Sequence, residues 1–191
     1  MKNKKALIIV VAVVAVLAII GGMIAGSYNW LVSKHEDVKK QDSAIQTQLQ
    51  RRADLIPNLV STVKGYAAHE EEVYTALADA RAKLSGASNP AEYTDANNAM
   101  DSALSRLLVV VENYPDLKAN ENFINLQDEL AGTENRIAVA RKDYNEAATE
   151  YNKKIKRFPT VIIANMFGFD EVEYFKADEG SDKVPNVSFD K

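Results

Sequence analysis

The chain is expected to be all-α: an N-terminal transmembrane helix followed by an antiparallel up-and-down bundle of three long helices and a short C-terminal helix. Three observations predict this. Ala6 to Gly26 is a 21-residue stretch without a charge. Apolar residues then recur in alternating steps of four and three from Val38 to Leu84, and the same alternation returns from Phe123 to Phe158. Steps of this kind keep one face of a helix apolar over many turns, which is the pattern of long helices packed side by side.

The charge-free stretch, read as a helix, spans about 31 Å, close to the hydrocarbon thickness of a bilayer. The competing reading is a cleaved signal peptide, since Lys2, Lys4 and Lys5 form a positive n-region and Gly22, Ala25 and Gly26 are small. Against cleavage, the apolar run exceeds the usual h-region, and Met23 or Ile24 falls where a small residue is needed. Lysines 2, 4 and 5 lie closer to the span than Lys34, Lys39 and Lys40, which favours a cytoplasmic N-terminus and an exported domain. Tyr28 and Trp30 fit an aromatic belt at the exit interface or the start of the core. The expected organisation is a tail and anchor over 1–27, a helical bundle over 28–169, and an acidic, partly disordered tail over 170–191.

At 191 residues the chain holds one anchor and one domain of ordinary size. Residues 1–27 contain three lysines and no acid, so the remaining 20 basic and 27 acidic side chains give that part a net charge of −7. Such a balance disfavours nucleic-acid binding, which relies on basic surface to displace counterions. With no cysteine, the chain has no disulfide, thiolate metal site or cysteine nucleophile.

The first long helix is expected to run from the membrane to Leu84. Eleven of its fourteen seam positions are apolar: Val38, Ile45, Leu49, Ile56, Leu59, Val63, Tyr66, Val73, Leu77, Ala80 and Leu84; Asp42, Arg52 and Glu70 are the exceptions. Pro57 has no N–H and crowds the carbonyl four residues earlier, so a kink or restart is expected near Leu55 to Pro57, where a guanidinium can take a freed carbonyl. Ser85 to Pro90 supplies a stop, then Asn89 as N-cap with Pro90 in the first helical position. A second helix follows to about Asn113, with Tyr93, Ala96, Met100, Leu104, Leu107, Val111 and Tyr114 on one face, and Tyr114-Pro115 closes it. The third runs from about Lys118 to Arg157 over Phe123, Leu126, Leu130, Thr133, Ile137, Ala140, Tyr144, Ala147, Tyr151, Lys154 and Phe158. Residues 161–169, VIIANMFGF, suggest a short fourth helix docked by its apolar side; left exposed, it would contact a membrane or aggregate. From Asp170 on, seven acids and three lysines read as solvated tail, with Tyr174 and Phe175 as its last anchors.

Several runs carry a family resemblance. RRADLIPNLVSTVKGYAAHE at 51–70, preceded by YNWLV at 28–32 and followed by ADARAKL at 78–84, resembles the LemA family of bacterial membrane proteins. NENFINLQDELAGTENRIAVARKDYNEA at 120–147, Tyr151-Asn152 and FPTVIIANMFGF at 158–169 match as well. The resemblance implies an N-terminally anchored helical bundle and no particular chemistry.

Side-chain chemistry points the same way. In HEEEV at His69 to Val73, valine occupies the second ligand position of a zinc helix, and neither His35 nor His69 has a glutamate three residues before it, as a di-iron bundle requires. No glycine-rich phosphate loop or nucleophile elbow is present. No catalytic, metal-binding or cofactor-binding residue is assigned, and an enzyme is disfavoured. The polar residues singled out are Arg51, Arg52, Asp54 and Asn58 in the first predicted helix and Gln127, Glu134, Asn135, Arg141 and Asn145 in the third. Arg51 reads as outer-face; Arg52, on the seam, reads as a half-buried ion pair. In an antiparallel pair the two sets face each other, either as a structural network or as a groove for a partner peptide.

The functional expectation is a membrane-tethered, non-catalytic scaffold, adaptor or regulator of the bacterial envelope that acts on a protein partner; the sequence assigns neither that partner nor an oligomeric state. A membrane-surface or lipid-sensing role through VIIANMFGF and the juxtamembrane helix is the alternative; the acidic balance of the domain speaks against it.

Overall fold

In a computed structural model of the chain, residues 2–176 are described. They form helices α1 (Lys2–Lys64), α2 (Glu71–Gly86), α3 (Pro90–Val111), α4 (Pro115–Lys118), α5 (Glu121–Ile155) and α6 (Thr160–Phe167), with no strand among the described residues. The fold is all-α. Residues 177–191, most of the expected tail, lie outside the described part.

Two compact units divide the chain, and the long helices α1 and α5 each contribute to both. One unit takes the chain up to Asp42 together with Tyr144–Val172; the other takes Ser43–Asp143 and the segment from Glu173.

In the second unit, the first long helix stops earlier than expected. It ends at Lys64, and α2 begins at Glu71 after a turn in which the Tyr66 and Ala67 amides both donate to the Val63 carbonyl at 2.9 Å. α2 then folds back along α1, which Arg81 shows by donating from Nε to the Ala53 carbonyl at 3.1 Å. The three long helices expected here are therefore four, α1, α2, α3 and α5, with the single turn α4 between the last two. The seam crosses the break without a change of step because α1 and α2 both turn it toward one core: Ile45, Leu49, Ile56, Leu59 and Val63 are buried before the turn, Val73, Leu77, Ala80 and Leu84 after it. Tyr66 and Glu70, inside the turn, are 43% exposed and half-buried respectively.

The same contact bears out one part of the expectation at Pro57, the guanidinium on a freed carbonyl, while the restart is absent. α1 continues through the proline without restarting. The carbonyl that Pro57 leaves without its helical donor is that of Ala53, and Arg81 takes it from the neighbouring helix. Arg81→Met should therefore lower stability by about 1–2 kcal/mol, the cost of a buried acceptor left open. In a Pro57→Ala background the restored N–H supplies that carbonyl, so most of the Arg81 effect should vanish in a double-mutant cycle. Full additivity of the two changes would mean that they act on different acceptors.

At the turn, Tyr74 donates to the Ala67 carbonyl at 2.5 Å and Tyr114 donates to Glu70 at 3.2 Å. Burial, then the Glu70 charge, then Tyr114, pushes the Tyr74 phenol above its ordinary value. A phenol whose folded pKa is raised contributes stability that is complete below the unfolded value of about 10 and is lost as pH rises through the folded value. The wild-type protein should thus show an alkaline destabilisation step that Tyr74→Phe diminishes, followed as melting temperature against pH; an unchanged step would assign it elsewhere.

α3 opens as expected. Asn89 accepts from the Glu92 amide at 2.9 Å with Pro90 in the first turn, and Glu92 accepts from the Ser88 amide and hydroxyl at 2.8 and 2.9 Å, which holds the Glu92 carboxyl below its usual range. Its buried face is Tyr93, Ala96, Asn97, Met100, Ala103, Leu107 and Val111; Leu104 and Tyr114 are half-buried. Phe175 is buried, stacked on Tyr93 at 6.1 Å between ring centroids and under the Arg141 guanidinium at 5.5 Å.

In the first unit, α1 and α5 run antiparallel: Lys34 Nζ meets Glu150 at 2.9 Å, and Lys154 Nζ lies 5.4 Å from the ring centroid of Trp30. The third predicted seam drifts here. Ala148 and Ile155 are buried, whereas Ala147 and Lys154 are half-buried and Phe158, beyond the end of α5, is 80% exposed. A strict seven-residue step falls behind a straight helix of 3.6 residues per turn by about 20° each heptad, which moves the buried row onto the next residue. α6 forms as expected and ends on Gly168 in the left-handed region at φ 73°. It buries Thr160, Ile163 and Ala164, while Ile162, Met166 and Phe167 stay exposed, so the expected docking covers one side only.

Candidate functional site

Arg52 is 3% exposed, and a buried guanidinium is tolerable only if its charge is met. α1 places it one turn before Ile56 on the seam, pointing between α3 and α5. It donates to Asn97 Oδ1 and forms ion pairs with Asp101 of α3 and Glu134 of α5. Asn97, 2% exposed, donates in turn to Asp101 at 3.1 Å and to Glu134 at 3.4 Å. One cation and two carboxylates leave this node a formal charge of −1. Both carboxylates are two-fifths or more exposed, so the buried cation connects to the surface through them.

Of the residues singled out in the sequence, Arg52 and Glu134 are brought together here. The others lie apart. Arg51 is exposed and pairs with Glu129 at 2.8 Å, the outer-face position expected of it. Asp54 accepts from Gln50 at 2.8 Å one turn earlier, and both line an open depression on one side of α1 with Arg51 and Asn58. Asn135 is exposed and Gln127 half-buried on α5. Arg141, also half-buried, covers the Phe175 ring, and Asn145 lies in the part of α5 that belongs to the first unit. Asn97 and Asp101 were not anticipated. Their signal was a polar i,i+4 pair beside Ala96 and Met100 on the buried face of the second predicted helix.

Chemically, the node offers a cation already met by carboxylates, not an activated nucleophile or an uncompensated acid pair. Among the described residues no group of three or more His, Asp or Glu side chains is placed to hold a metal ion.

The model of the LemA family matches residues 41–189, most of the chain and every residue of the node. The chain belongs to the LemA family. It is 28% identical to magnetosome protein MamQ 2 of Paramagnetospirillum magneticum, over 92% of this chain and 74% of that protein. Magnetosome protein MamQ of Magnetospirillum gryphiswaldense is 27% identical, over 88% of this chain and 71% of its own length. Protein LemA of Metamycoplasma hominis is 28% identical over 81% and 71%.

The LemA match also takes in a second polar contact, in the first unit. Asn152, 2% exposed, donates from Nδ2 to the Val172 carbonyl at 2.8 Å and accepts the Val172 amide at 3.0 Å. A side-chain amide used in this way replaces a partner strand, and it holds the start of the stretch that sequence reasoning read as tail. Asn152→Ala should speed exchange of the Val172 amide by the equivalent of about 2–3 kcal/mol, two hydrogen bonds with one partner removed. Unchanged protection would show that the segment is held without the asparagine. The adjoining Tyr151 is wholly buried, and burial, then Asp170, pushes its phenol upward.

Proposed function

We propose that this LemA-family protein is a non-catalytic, membrane-anchored scaffold or adaptor of the bacterial envelope, acting through a protein partner. The observation that carries the reading is the continuity of α1. Its apolar stretch is long and apolar enough to cross a membrane, none of that stretch is buried among the described residues, and the same helix runs on into the packed core. A hydrophobic stretch with no protein cover finds its natural solvent in lipid. Supporting a non-catalytic role, the terminal nitrogens of Arg52 are taken by Asp101, Glu134 and Asn97, and the Asn152 amide by the Val172 backbone.

The domain is assigned to the outer side of the cytoplasmic membrane. Lys2, Lys4 and Lys5 precede the apolar stretch directly, whereas the first lysine after it is Lys34. Adding protease to intact spheroplasts carrying a C-terminal tag tests this. Digestion agrees with an exported bundle; protection that ends only on lysis reverses the orientation and directs the search to cytoplasmic partners. Recovery of the protein in the soluble fraction would remove the anchor itself.

A further inference from the structure

The first unit carries apolar surface beyond the stretch in α1. α5 runs back along α1 toward the apolar stretch: Glu150 lies by Lys34, and four residues further along α5 Lys154 Nζ is 5.4 Å from the ring centroid of Trp30, four residues earlier in α1. Past α5 the chain reaches Tyr28, whose ring centroid is 4.8 Å from that of Phe167 and 5.7 Å from that of Phe169. α6 thus sits where the apolar stretch of α1 gives way to polar sequence. There the surface holds Phe158, Ile162, Met166 and Phe167 at 80, 57, 60 and 51% exposure. Elsewhere between Tyr66 and Tyr174, the exposed large apolar residues stand singly or as the pair Leu108 and Val109. At the end of α5, beside Phe158, are Lys153 and Arg157, both exposed, and Lys156, which pairs with Glu171 at 2.6 Å, on a chain whose overall balance is acidic.

An apolar face with a basic edge is the make-up of a helix that lies in the membrane interface, and Tyr28 and Trp30 are residue types that favour that depth. We propose that Phe158, Ile162, Met166 and Phe167 dock into the headgroup and upper acyl region of the same bilayer that α1 crosses, so that α6 is a second, in-plane membrane contact. The proposal rests on the reading of α1 as the anchor. Its occupant is lipid because the face borders that anchor, joined to it through Tyr28. The basic edge adds a preference for anionic lipid.

The cysteine-free sequence allows single-site labelling of the full chain. Ile162→Cys and Met166→Cys, each carrying an environment-sensitive fluorophore, would be measured in phosphatidylcholine nanodiscs holding one chain, with and without phosphatidylglycerol. Leu17→Cys in the apolar stretch and Val139→Cys on an exposed face of α5 serve as references. The expected result is iodide quenching at 162 and 166 several-fold weaker than at 139, strong quenching by a nitroxide placed near the headgroup, and a further loss of iodide access with phosphatidylglycerol. Labels at 162 and 166 that behave as at 139, while 17 stays protected, overturn the proposal and leave the anchor standing. Protection from iodide without quenching by nitroxide lipid means that protein covers the face, and also overturns it. If position 17 is itself open to iodide, the anchor reading fails and this proposal with it.

Discussion

Replacing Arg52 by alanine is expected to lower the stability of the folded protein by about 2–4 kcal/mol. The loss is not that of one contact. Asn97 is buried and its amide still binds Asp101 and Glu134, so the variant holds two carboxylates around one amide with no cation between them. Each carboxylate keeps part of its hydration, being 46% and 40% exposed, which puts the cost below that of a fully enclosed broken pair. Lysine at position 52 should recover only part of it, because one ammonium cannot reproduce a guanidinium fork that donates from two nitrogens to three acceptors. Arg52→Met combined with Asp101→Asn and Glu134→Gln should recover most, since a neutral node no longer needs the cation. Denaturant midpoints at unchanged slope would measure each step. A midpoint shift worth less than about 0.5 kcal/mol for Arg52→Ala, the range of ordinary surface changes, would show that the node is not a structural pin.

The second large effect separates two adjacent alanines. Ala148 is fully buried and Ala147 half-buried. Ala148→Asp places an unpaired carboxylate in the core of the first unit and should cost about 3 kcal/mol or more. Ala147→Asp can turn toward water and should cost about 1 kcal/mol or less. Thermal unfolding of the two variants side by side decides the phase of α5. The opposite ranking would mean that the helix keeps the strict seven-residue step to its end.

That one-residue difference shows where sequence reasoning reaches its limit. Periodicity identified the faces of the helices because a buried row needs apolar side chains whichever partner covers it. It did not find the turn at Gly65, because α1 and α2 deliver their rows to one core and the alternation of threes and fours survives the reversal. It lost phase near Ala147 because a small angular mismatch accumulates over a long helix. The cap at Asn89 was legible because a short polar side chain followed by proline satisfies local backbone needs without tertiary help. The candidate site was legible in part. A seam arginine must find countercharge, and Glu134 was within the expected set; Asn97 and Asp101 became visible only when α3 brought them beside it. Likewise nothing local in Tyr151-Asn152 shows that the amide will hold Val172, since that contact joins residues twenty positions apart in sequence.

The pairing of Lys34 with Glu150 spans 116 positions in sequence. A chain made from its N-terminus therefore delivers Leu31 and Val38 long before α5 exists to cover them. Synthesis at about 5–20 residues per second leaves that apolar strip waiting on the order of 5–25 s. The contacts of α1 with α2 and α3, separated by only 28 to 49 positions, can close within that interval. Biogenesis therefore has a built-in order, and the part of the domain nearest the apolar stretch is the last to find its partner.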